Sequence, residues 1–160
     1  MRFTYEFIII YYNYMEWFSD DKYKYSIDMM FAYINIYKPK KTKIKIDDLK
    51  FNLQYNSLTN NICPNDMLND MNNSKYKDEI VRINNSNIKY PIILDSNYNI
   101  LDGFHRYIKH IIENKKMINV YIFDNKLLKK FIVGKRDDTF KLEINEFIEL
   151  FNKRFTPFLI

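Results

Sequence analysis

The chain has 160 residues, a formal net charge of +5, 14 Tyr, 13 Phe, two Gly and one Cys. A chain of this length buries roughly 70% of its unfolded surface, enough for one core without covalent staples, so a single domain is expected. Cys63 cannot form an internal disulfide and no Cys/His spacing resembles a zinc site, which excludes a stapled secreted scaffold and predicts a reducing, intracellular location.

The start, Phe3 to Phe18, is apolar but interrupted by Glu6, Asn13 and Glu16, too short and polar to span a membrane. Within it Phe7–Tyr12 reads as a strand, with a helix over Tyr5–Trp17 as the alternative. Ser26 is a good N-cap for a helix over Ile27–Tyr37, whose face carries Ile27, Met30, Phe31 and Ile34, and Pro39 ends it. The lysine run 38–45 leads into a short strand, Lys43–Ile46, where Lys is a common edge guard. Residues 52–74, rich in Asn, Ser and Asp, read as a loop with a helical turn near Asp66–Met71. Ser74 is placed to cap a helix over Lys75–Ile83. Pro91–Leu94 reads as a buried strand, Asp95–Asn99 as a turn and Ile100–Leu101 as a second strand. Phe104–Asn114 is an amphipathic helix with Tyr107, Ile108, Ile111 and Ile112 on one face, and Val120–Phe123 is a third strand. Strand, helix, strand predicts a right-handed crossover onto the sheet. A terminal helix follows over Glu143–Phe155, and the Tyr and Phe stripes and Trp17 are read as core.

The abundance of Lys, Asn, Ile and Tyr over Arg, Ala and Gly is what an AT-rich genome, such as that of a large DNA virus, produces. Net charge by itself therefore says little about a polyanionic partner. Against that bias the pentapeptide Asp102-Gly103-Phe104-His105-Arg106 stands out. It holds one of two glycines, one of two histidines and one of five arginines. A glycine lets the backbone turn, a helix start offers N–H groups, and His and Arg add donors, a combination suited to phosphate.

The stretch Lys89-Tyr90-Pro91-Ile92-Ile93-Leu94, a turn, then Ile100-Leu101-Asp102-Gly103-Phe104-His105-Arg106-Tyr107 resembles the ParB/sulfiredoxin superfamily. Arg82-Ile83 and the strand opening at Lys43 fit the same pattern, and the resemblance covers roughly residues 43–125, leaving 1–40 and 126–160 as extensions. It implies an α+β fold, a small mixed sheet with flanking helices, and a loop that cradles nucleotide phosphates. Members bind CTP or ATP, and some phosphorylate free serine. Sulfiredoxin chemistry needs a cysteine where Phe104 stands, so sulfinic-acid repair is not expected. The stretch after Phe123 is short for the helix-turn-helix and dimerisation regions of a full partition protein, so centromere-type partition by this chain alone is not expected.

The expected ligand is a nucleotide, ATP or CTP, with Mg²⁺, and the expected activity a kinase or NTPase. Gly103, Phe104, His105, Arg106, Arg82 and Lys89 are the candidate binding residues, and Asp102 and His105 the catalytic candidates. For each there is a plainer reading. Arg106 is a phosphate fork or a surface ion pair. His105 is a donor or acid, or a histidine pinning the loop. Asp102 is a Mg²⁺ ligand or base, or a helix N-cap. His110 lies about 140° around the helix from His105, so the two cannot share a metal from one face. DNA association or nuclease activity, and a degenerate structural role, are the alternative functions.

Overall fold

Trp17–Ser19 (β1) and Tyr23–Ser26 (β2) open the part of the chain that the computed structural model describes, residues 16–139 and 142–155. The strand expected at Phe7–Tyr12 lies outside the described residues. The chain is α+β and divides into two compact units, Lys40–Asp124 and a terminal unit of Met1–Pro39 with Asn125–Ile160.

In the terminal unit, Asp20 turns the β1–β2 hairpin, its carboxylate accepting from the N–H groups of Lys22 and Tyr23 and from the Tyr25 hydroxyl at 2.6 Å. Helix α1 spans Ile27–Tyr37 as the spacing predicts. Ser26 Oγ accepts the Met29 N–H at 3.1 Å, and Lys38, at φ 46°, closes the far end with its N–H on the Ile34 carbonyl.

The 40–124 unit starts with β3, Thr42–Lys45, where Ile44 faces in and Lys43 and Lys45 face out. Ile46 does not extend this strand but begins a 3-10 segment, Ile46–Gln54. The loop expected over 52–74 is instead a chain of short helical pieces: Thr59–Asn61 (3-10), helix α2 at Pro64–Asn69 and Ser74–Tyr76 (3-10). The reason is burial. Leu53, Leu58, Met67 and Tyr76 are all inside, one anchor every five to nine residues, a spacing with neither helical nor strand period. Asn73, not Ser74, caps the last 3-10 turn, accepting from the Lys75 N–H, so helix α3 starts later than expected and spans Lys77–Asn85.

Strands β4 (Ile92–Asp95) and β5 (Ile100–Asp102) form the expected hairpin. Asp95 builds its turn by accepting from the N–H groups of Asn97 and Asn99 and from the Asn99 side chain. Helix α4 is Phe104–Ile112, two residues shorter than predicted because Asn114 flips to φ 54° and the Lys115 N–H returns to the His110 carbonyl. Strand β6, Met117–Phe123, begins three residues before the expected start. The sheet order is β3-β6-β4-β5, with β4 parallel to β6 and the other pairs antiparallel. The crossover thus differs from expectation: α4 joins strands that flank β4 and run opposite ways, and the parallel pair is β4 with β6. Leu49, Met67, Ile83, Ile92, Leu94, Tyr107, Ile108 and Val120 form the core under this sheet. The Tyr107 hydroxyl donates to the Ile46 carbonyl, and burial, with the Asp47 charge adding to it, pushes this phenol well above its usual range. Not every aromatic is core: Tyr55 and Tyr90 are exposed and Trp17 is half-buried.

Asn52 is a polar residue inside this core, 2% exposed. Its amide donates to the carbonyls of Leu49 and Tyr98, and its oxygen accepts the buried Ile100 N–H at 3.0 Å. Asn52→Ala strands that N–H, so urea denaturation is expected to show a loss of about 2–3 kcal/mol; a change below about 0.5 kcal/mol refutes the role.

The chain then returns to the terminal unit through α5 (Asn125–Leu128), a 3-10 turn at Lys129–Phe131, β7 (Ile132–Lys135) and α6 (Ile144–Phe155). Strand β7 pairs with β2, giving the order β1-β2-β7. The rings of Tyr33, Phe131 and Phe151 gather on Phe155, and Arg154 donates to the carbonyls of Lys130 and Ile132.

Candidate functional site

Gly103 decides the local geometry. At φ 106° and ψ 25° it sits where side chains rarely go, and a Cβ added there falls 2.5 Å from Ile92 Cγ2 and 2.9 Å from Arg106 Nη2. Gly103 occupies the N-cap position of α4, and no side chain caps the first-turn N–H groups of that helix. Asp102 is therefore not the N-cap. Its carboxylate instead accepts from Arg106 Nη2 at 2.6 Å across one helical turn. Arg106 is 20% exposed, and its Nε is buried without a hydrogen-bond partner among the described residues.

A second constellation lies one residue along. Glu79 of α3 is 3% exposed, and its two oxygens serve two partners. Oε1 accepts from Arg82 Nη1 at 3.0 Å, and Oε2 is 2.8 Å from His105 Nε2. Arg82 Nη1 also donates to Thr59 Oγ1 at 2.5 Å. Lys109 of α4 donates to the carbonyls of Asn84 and Ser86, which fixes the end of α3 against α4 and holds Glu79 opposite His105.

Of the predicted residues, Asp102, Gly103 and Arg106 meet at the turn, while His105 and Arg82 meet through Glu79. Phe104 is half-buried and packs on the core. Lys89 is exposed in the turn before β4, where its N–H binds the Asn87 side chain, and it joins neither constellation. His110 is buried and its Nδ1 donates to the Arg106 carbonyl at 2.7 Å, so it serves the helix rather than a ligand. Glu79 and Thr59 escaped the sequence reading. Glu79 carried a signal all the same: it shares a helical stripe with Tyr76, Ile80 and Ile83, and a carboxylate within an apolar stripe needs buried partners.

Chemically, Arg106, Arg82 and His105 each already hold a carboxylate. A bare anion arriving at Arg106 competes with Asp102, whereas a phosphate carrying Mg²⁺ brings its own counter-charge for that carboxylate. Mg²⁺ is commonly held by one or two carboxylates together with substrate phosphates, so Asp102 fits that role. No group of three His, Cys, Asp or Glu side chains that could cage an ion is present among the described residues. No helix among them is long and apolar enough to cross a membrane.

No family model, curated protein or solved structure matches this chain.

Proposed function

We propose that the 102–106 turn binds the phosphates of a nucleotide, ATP or CTP, with Mg²⁺ shared between those phosphates and Asp102, and that the site serves phosphoryl transfer or nucleotide hydrolysis. The supporting observation is the uncapped first turn of α4 behind a positive-φ glycine, with the Arg106 guanidinium beside it. Backbone N–H groups at such a turn attract anions, and the guanidinium adds charge-assisted donors. The resemblance of this segment to ParB/sulfiredoxin loops favours the same ligand class. Asp102 would hold the metal, which would neutralise charge on the transferring phosphoryl group.

Calorimetric titration with ATP, ADP and CTP, with and without Mg²⁺, tests this. Binding is expected to require Mg²⁺. Arg106→Ala is expected to weaken it about ten- to a hundredfold, the loss of one charge-assisted hydrogen bond at about 1.5–3 kcal/mol. No heat from any nucleotide, with an unmoved melting temperature, rejects the proposal.

A DNA-associated role has one observation in its favour. Lys43 and Lys45 point outward from the edge strand β3, and Lys50, Lys116 and Lys45 surround Asp47. The Lys50 hydrogen bond, with the charges of these lysines, holds the Asp47 carboxyl below its usual value. Duplex binding that falls steeply with salt is the outcome that supports this reading.

A further inference from the structure

We propose that Glu79 is a positioning residue that fixes the His105 imidazole with Nε2 protonated and Nδ1 as its basic atom. The turn then suits a ligand that surrenders a hydroxyl proton, water or an alcohol. What the base acts on rests on the phosphate-site reading; the tautomer does not.

The geometry carries the first half. Glu79 is buried, and Oε1 already accepts from the permanently charged Arg82 guanidinium, itself steadied by Thr59. The other oxygen, 2.8 Å from His105 Nε2, is an acceptor as well, so Nε2 supplies the proton of that bond. A neutral imidazole has one proton to place, which leaves the lone pair on Nδ1. His105 is 35% exposed and Nδ1 has no hydrogen-bond partner among the described residues, so that atom is open to a ligand. The remaining charged groups near it are engaged elsewhere. Asp102 and Arg106 hold each other, and Lys109 is bound to two carbonyls. A base whose far nitrogen is oriented by a carboxylate is the arrangement that activates hydroxyl nucleophiles. For a nucleoside triphosphate, Nδ1 takes the proton of the acceptor hydroxyl as that oxygen bonds to the terminal phosphorus. The bond to the bridging oxygen breaks and its electron pair leaves with the nucleoside diphosphate.

The two histidines provide their own control. His110 donates from Nδ1 to a carbonyl, so it must hold the opposite tautomer. Long-range ¹H–¹⁵N spectra of the full chain labelled in histidine, at about pH 8.5, two units above the ordinary histidine value of about 6.5, read both directly. His105→Gln assigns the signals. His105 is expected to show protonated Nε2 alone and His110 protonated Nδ1 alone. A protonated Nδ1 at His105, or an averaged mixture, overturns the proposal. In Glu79→Leu the His105 signal is expected to become such a mixture; an unchanged tautomer there also overturns it, and the wild-type spectrum decides the matter if that variant does not fold. At saturating Mg²⁺ and ATP, His105→Gln is expected to lower kcat about 10²–10⁴-fold, and unchanged kcat overturns the role as base. Absence of nucleotide binding by the wild type rejects the phosphate reading instead and leaves the tautomer result standing.

Discussion

Gly103→Ala is expected to destabilise the protein by about 2–5 kcal/mol. Two costs add. An L-residue forced to positive φ loses about 1–2 kcal/mol. The new methyl also meets Ile92 Cγ2 at 2.5 Å, and Ile92 is fully buried in β4, so the neighbour that must give way is core rather than a surface chain. Overpacking of that kind costs about 1–3 kcal/mol. The urea midpoint is the measurement, with an unchanged m-value showing that its shift is a change in stability and not in the surface exposed on unfolding. A loss under about 0.5 kcal/mol shows that the turn can relax, and then the glycine is not what shapes the site.

The Glu79 cluster carries a second prediction, one of asymmetry. Removing the partners, Arg82→Ala with His105→Ala, leaves the Glu79 carboxylate, 3% exposed in the wild type, without its counter-charge, and a loss of about 3 kcal/mol is expected unless water reaches it where the two side chains stood. Removing the carboxylate, Glu79→Leu, leaves Arg82 and His105, which are 52% and 35% exposed and can turn to water. Leucine adds apolar surface among Tyr76, Ile80 and Ile83, so that variant is expected to lie within about 1 kcal/mol of wild type. Thermal melts of the two proteins side by side settle the order. If Glu79→Leu is the less stable, the cluster contributes more through its geometry than desolvation physics allows. A stable Glu79→Leu variant also supplies the folded background that the tautomer measurement needs.

Local chemistry explains what could be read from the residues alone. Ser26 announces α1 because its hydroxyl meets a backbone N–H three residues on, and Asp95 with Asn99 announces the β4–β5 turn for a similar reason. The apolar run at Ile92–Leu94 and the stripe on α4 have clean periods, so their elements came out within two residues. Long-range partners do not leave such marks. Asn52 looks like one more loop asparagine until the Ile100 N–H lies against it, 48 residues away. His105 reads equally as a donor or acid and as a histidine pinning the loop, because Glu79, 26 residues earlier, gives no local hint that it faces it. Asp102 looked like an N-cap because nothing in the pentapeptide says that Gly103 takes that position itself. With the cap displaced by one residue, the carboxylate turns to Arg106.

The register of β3 on β6 sets the order in which the chain can fold. Thr42 pairs with Val120, so both crossings into the terminal unit, at 39–40 and 124–125, emerge from one ladder within a few residues of each other. Until that ladder forms, β2 and β7 are separated by a long unfolded stretch, and joining them bears the entropy of closing it. Afterwards the intervening segment acts as a short tether. The 40–124 unit is therefore positioned to fold before β2 and β7 can pair, and the β1-β2-β7 sheet to form after it.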